Sequence, residues 1–186
     1  NSLYEIKVPL HPAGIFVVSF LLIIFFGALL LMLPRSTRNG ISFIDALFTS
    51  TSAVCVTGLA SLDVSKEFTR LGQSFILFLI QVGGLGILTY TSLFGLMFTN
   101  QSSFHNQLMV KDMISATSIS NTFSSLIRII LFTVVIEFVG AVIIYLSIGH
   151  QYFSDEGSKI FFAVFHAVSG FCNAGFSTLS NNLYED

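Results

Sequence analysis

The chain has 186 residues, 53% of them hydrophobic and only 10% charged, with a mean hydropathy of +0.83. A soluble domain carries roughly 25% charged residues, so this composition excludes an ordinary water-soluble globule and points to lipid as the solvent. The net charge of −2 leaves no electrostatic footprint for nucleic acid.

The first element is an uncharged run of 21 residues, Ala13 to Leu33. It reaches the ~20 residues needed to cross a hydrocarbon core, and Pro34 follows it as a helix stop. Leu33-Pro34-Arg35 is no small-residue cleavage site, which argues against a signal peptide. Residues 43–62 come next and read FIDALFTSTSAVCVTGLASL. Ser42-Phe43-Ile44-Asp45 fits a capping box, and a helix over 43–54 would be about 18 Å long, half a bilayer. A turn over 55–60 leads to a second span at 73–99, which contains QVGGLGILT. Gly83, Gly84 and Gly86 do not continue into a dinucleotide-binding pattern; small residues there permit close helix packing.

Residues 100–124 form a polar connection, open to reading as a solvated loop or a surface helix. A third span at 126–148 includes the 20-residue run Ile129 to Ile148, broken only by Glu137, which is expected to face other helices and hydrogen-bond there. A second half-length helix is predicted over 157–170, with Asp155 and Glu156 at its start and a turn at 171–177. Residues 160–179, IFFAVFHAVSGFCNAGFSTL, match 43–62 without a gap at an offset of 117. The identities are Ala46/Ala163, Phe48/Phe165, Ser52/Ser169, Cys55/Cys172, Gly58/Gly175 and Leu62/Leu179, the mark of an internal repeat.

A chain that descends half a membrane and returns leaves backbone groups unpaired, which bare lipid does not tolerate. The repeated element therefore reads as a re-entrant pore loop, a short helix followed by an extended strand. Gly58 and Gly175 would allow positive φ, and the negative helix ends would favour a cation. Cys55 and Cys172 are expected as buried small side chains, since neither a CxxC nor Cys/His ligand spacing is present.

These motifs resemble the Trk/Ktr/HKT superfamily of potassium transporters, most closely the bacterial KtrB-type and TrkH-type pore subunits. The resemblance is carried by SAVCVTGL, FHAVSGFCNAGF, LIQVGGLGILT, IEFVGAVIIYLSIG and the run LLMLPRSTRNGISFIDALFTSTSAVCVTGL. It implies an all-α membrane protein of span–pore loop–span units around a K⁺-channel-like pore, about one and a half of the family's four repeats being present. The units would be 1–99, the connection 100–124, and a second repeat over 125–186 that stops after its filter strand. By resemblance, carbonyls of Val56, Thr57, Gly58, Asn173, Ala174 and Gly175 would bind K⁺, with Cys55, Cys172 and Glu137 as structural residues. A glycine at position 58 goes with potassium selectivity, and a serine with the sodium-transporting plant branch.

The resemblance also implies a multi-pass protein of the bacterial inner membrane, working as a homodimer with a cytosolic nucleotide-binding ring. No enzyme activity, covalent cofactor or nucleic-acid partner is expected, and potassium uptake is the expected function. Three other readings compete with this one. A sodium-conducting or mixed Na⁺/K⁺ relative stays open on residues alone. A neutral-solute channel with two half-membrane loops predicts paired Asn-Pro-Ala tips, where only Asn173-Ala174 occurs. A membrane hydrolase would use His166 and Ser169, but no strained G-x-S-x-G turn surrounds the serine. With both loops opening outward, Lys7, Lys111 and Arg128 lie inside against Arg35, Arg38, Lys66, Arg70 and Lys159 outside. That reverses the positive-inside bias, so orientation follows the resemblance. Lys66 and Arg70 read as a solvated mouth.

Overall fold

The computed structural model describes residues 12–99, 119–149, 153 and 155–180. Among them the chain is helical, with one isolated antiparallel bridge between Thr37 and Phe68. Helix α1 spans Pro12–Leu31, α2 Phe43–Val54, α3 Val64–Glu67, α4 Arg70–Thr99, α5 Ile119–Ser147 and α6 Glu156–Phe171. The connection read at 100–124 lies largely outside the described residues, as do Lys7 and Lys111; its last residues already belong to α5.

Local signals account for the two short helices. Ser42 caps α2, its Oγ accepting from the Asp45 N–H at 3.1 Å and donating to the Asp45 carboxylate at 2.6 Å. Asp155 caps α6 in the same way, accepting from the Ser158 N–H at 2.9 Å. Each cap satisfies a donor that the first turn leaves unpaired and places a negative charge at the positive helix end. Helix α6 has 16 residues against 12 in α2. The two end at equivalent positions, so the extra turn lies at the α6 start.

Small and aliphatic residues set the packing. Helix α2 lies between α1 and α4, while α6 packs on α5 and against α4. Ile24, Ala28, Leu31, Ala46, Ala53, Val54, Ile76, Leu79, Ile80, Phe165 and Val168 form one buried cluster across both halves. Ser50 ties α2 to α1 by donating to the Ile24 carbonyl at 2.7 Å. Beyond α1 the chain is stitched into a collar. Arg38 N–H donates to Glu67 O at 2.9 Å, Thr69 N–H to Ser36 O at 3.0 Å, and Thr69 Oγ1 to Arg35 O at 2.6 Å. Gly72 fits this collar because a methyl group there would overlap the Ser36 carbonyl.

Helix α5 contains a 21-residue stretch, Ile127–Ser147, long and apolar enough to cross a membrane. Leu131, Phe132, Phe138 and Leu146 on it are each more than 60% exposed. Water does not tolerate an apolar face of that extent, whereas lipid or further helices do.

Candidate ion-binding loops

The repeat seen in the sequence is a repeat of backbone. Helix α2 ends at the C-cap Cys55, whose N–H donates to Thr51 O at 2.8 Å. Val56 then turns left-handed at φ +56°, its N–H reaching Ala53 O at 3.2 Å, and Thr57 N–H reaches Ser52 O at 2.9 Å. Gly58 follows at φ +75°. Helix α6 closes identically at an offset of 117. Cys172 donates to Val168 O at 2.9 Å, Asn173 at φ +57° to Gly170 O at 3.1 Å, and Ala174 to Ser169 O at 2.7 Å. Gly175 has φ +69°. The paired 6→1 and 5→2 bonds are a Schellman closure, which satisfies carbonyls that a helix end otherwise leaves free.

The two loops meet at their glycines. A methyl group on Gly58 would lie 3.1 Å from Gly175 Cα and 2.6 Å from the Ala174 carbonyl oxygen. One on Gly175 would lie 3.2 Å from Gly58 Cα. For two copies of an element related by rotation, equivalent residues come this close only near the rotation axis. Among the described residues, nothing donates to the carbonyls of Val56, Thr57, Gly58, Asn173, Ala174 or Gly175. The two loops that carry the six carbonyls assigned by resemblance each follow a helix C-terminus, which carries about half a negative charge from the helix dipole.

Different side chains brace the two loops. In the first, Thr57 Oγ1 donates to Ser52 Oγ at 3.0 Å, and Ser61 Oγ to Asp45 Oδ1 at 3.1 Å. Thr49 is buried, and its hydroxyl has no partner among the described residues. In the second, Ser169 Oγ donates to Phe176 O at 2.7 Å, and His166 Nε2 lies 3.0 Å from Ser177 Oγ. His166 Nδ1 is 2.9 Å from Phe162 O, which can only accept, so the neutral ring carries its proton on Nδ1 and accepts from Ser177 through Nε2. Ser169 is buried and bonded to the backbone rather than to His166. The hydrolase pairing is therefore absent.

Glu137 is 8% exposed and faces α4, where Gln81 Nε2 donates to its Oε2 at 3.2 Å; Oε1 has no partner among the described residues. One expectation is corrected. Cys55 is exposed rather than buried, because α4 covers that helix end on the Val54 side, while Cys172 is half-buried. Arg70 is exposed, as a mouth residue should be, and its guanidinium also donates to Gly157 O at 2.6 Å and lies 5.0 Å above the Phe161 ring. Lys159, counted among the outer charges, is only 4% exposed and sits 4.2 Å over the Tyr145 ring. These two contacts span 87 and 14 residues of chain, beyond any local pattern.

Residues 10–185 match the TrkH family, described as cation transport protein. The chain belongs to this family. It is 39% identical over 184 residues to a protein named potassium/sodium uptake protein NtpJ from Enterococcus hirae, covering 98% of this chain and 40% of that one. It is 38% identical to the Ktr system potassium uptake protein B of Bacillus subtilis, over 92% of this chain and 38% of the relative. The protein of that name from Vibrio alginolyticus is 34% identical over 91% of this chain and 37% of its own length. The chain thus spans about two fifths of the curated relatives it matches. TrkH-family proteins are membrane transporters and not enzymes, which agrees with the helical fold and the apolar α5.

Proposed function

We propose that this chain supplies two of the filter-bearing loops of a potassium-uptake pore in the bacterial inner membrane. The observation that carries the proposal is the meeting of Gly58 and Gly175, in loops whose six carbonyls accept no hydrogen bond among the described residues. Carbonyl oxygens replace the water shell of a dehydrated cation. Positive φ at alternate residues, 56 and 58 in one loop and 173 and 175 in the other, favours turning successive carbonyls to one side. Unsatisfied backbone at membrane depth is tolerated only where it lines such a cavity. An anion would meet the negative helix ends and be repelled.

The complete pore is multi-pass, with further loops closing the ring around these two, and works as a homodimer gated by a cytosolic nucleotide-binding ring. The names of the relatives support potassium as cargo, and the Enterococcus name, potassium/sodium uptake, supports sodium as a second ion. The test is rescue of a potassium-uptake-deficient bacterium at limiting K⁺ by the intact transporter, beside the same protein carrying Gly58→Ser. Rescue by the parent with lost K⁺-over-Na⁺ discrimination in the variant is the expected result. A well-inserted parent that fails to rescue, with its cytosolic partner present, rejects potassium uptake. A parent that transports both ions equally moves the protein to the sodium-conducting reading.

A further inference from the structure

Helix α4 touches the ends of both short helices on adjacent residues. A methyl group at Gly83 would overlap the carbonyl oxygen of Val54, the last residue of α2. One at Gly84 would lie 2.6 Å from Sγ and 3.2 Å from Cβ of Cys172, the C-cap of α6. Two further bonds hold α4 against the second repeat: Arg70 to the Gly157 carbonyl near the α6 start, and Gln81 to Glu137 on α5. Neighbouring residues on one helix are fixed about 1.5 Å apart along its axis. The two loop-bearing helix ends therefore take their relative height from α4.

Nothing slack lies between those ends and the glycines. Thr57 is bonded back to Ser52, and Ala174 to Ser169, so each loop is indexed to its own helix. We infer that Gly84 and Cys172 form the positioning contact that sets the second filter strand against the first. The pair then governs ion discrimination although neither residue touches the ion. This inference rests on the proposed filter role of the two loops. Close-packed interiors transmit a forced displacement rather than absorbing it, and a carbonyl cage distinguishes ions through its size and field.

The pair differs from its neighbour in how a clash is relieved. A methyl group at Gly84 meets a side chain, so shortening Cys172 makes room for it. A methyl group at Gly83 meets backbone, and no side-chain change relieves that. The experiment is a double-mutant cycle in the intact transporter, with K⁺ uptake and its inhibition by Na⁺ measured in the potassium-uptake-deficient bacterium. Gly84→Ala is expected to reduce K⁺-over-Na⁺ discrimination about tenfold, the size of a contact coupling near the middle of the observed range. Adding Cys172→Gly is expected to restore it to within about twofold of Cys172→Gly alone. Gly83→Ala also loses discrimination, and Cys172→Gly does not restore it.

Equal discrimination in the parent and Gly84→Ala, with K⁺ uptake intact, overturns the inference and leaves the filter reading standing. Failure of Cys172→Gly to rescue Gly84→Ala overturns it as well. Should Gly84→Ala not reach the membrane, return of the double variant with normal discrimination supports the contact, and continued absence rejects it. A parent without K⁺ uptake removes the filter reading, and the inference with it.

Discussion

The first and second loops share a backbone and differ in what holds it. The first is enclosed between α1 and α4 and closed by its own hydroxyls, Thr57 on Ser52. The second has α5 and α4 beside it and is braced outward, Ser169 onto Phe176 O and His166 onto Ser177. The left-handed position differs too, Val56 in one loop and Asn173 in the other, at nearly equal φ. Of the six residues that repeat, three sit where the backbone closes: a cysteine cap, a serine and a glycine. Bracing is free to differ because many side chains can hold one carbonyl, whereas few residues tolerate a positive φ.

The largest expected asymmetry lies at the glycines. Both substitutions strain φ, but Gly58→Ala also drives a methyl group to 2.6 Å from the Ala174 carbonyl oxygen, whereas the nearest atom to one at Gly175 is Gly58 Cα at 3.2 Å. Strain at a left-handed residue costs about 1–3 kcal/mol, and Gly58→Ala adds a backbone clash to it. K⁺ uptake should therefore fall further in Gly58→Ala, by at least about tenfold relative to Gly175→Ala. Equal losses would mean that the two loops meet symmetrically.

Val56 against Asn173 gives the next effect. A β-branched residue is a rare occupant of the left-handed region, where asparagine is enriched. Val56→Asn should stabilise the purified transporter and Asn173→Val destabilise it, each by about 1–2 kcal/mol. Thermal unfolding in detergent reads both, and a Val56→Asn that lowers Tm would show that the valine side chain holds the loop by packing. The smallest effect is at the caps. Ser42→Ala and Asp155→Ala should each cost about 1 kcal/mol, with Asp155 the more salt-sensitive because its cap is charged. Unfolding midpoints at low and high salt check this.

Much of this was legible in the residues because it is local. The capping box at Ser42 fixes where α2 starts, the offset of 117 carries its end over to α6, and the turn glycines mark both closures. Helix α6 runs one residue beyond the expected 157–170 at each end, since Asp155 rather than a later residue takes the cap. What stayed hidden is long-range. Arg70 looks like any outer-face arginine until α6 brings the Gly157 carbonyl to it. Lys159 looks solvated until the Tyr145 ring covers it. The cysteines show the same limit: matching positions in a repeat do not share exposure when their surroundings differ.

The place of α4 in the chain carries a consequence for biogenesis. Synthesis delivers α2 first, α4 next and α6 last, so Gly84 is made before Cys172. If the first half folds as it emerges, it acts as a template onto which the second loop docks. In chains stalled just after α4, Cys55 should already show the thiol accessibility it has in the completed protein; labelling that still changes as α5 and α6 emerge would show that the halves mature together.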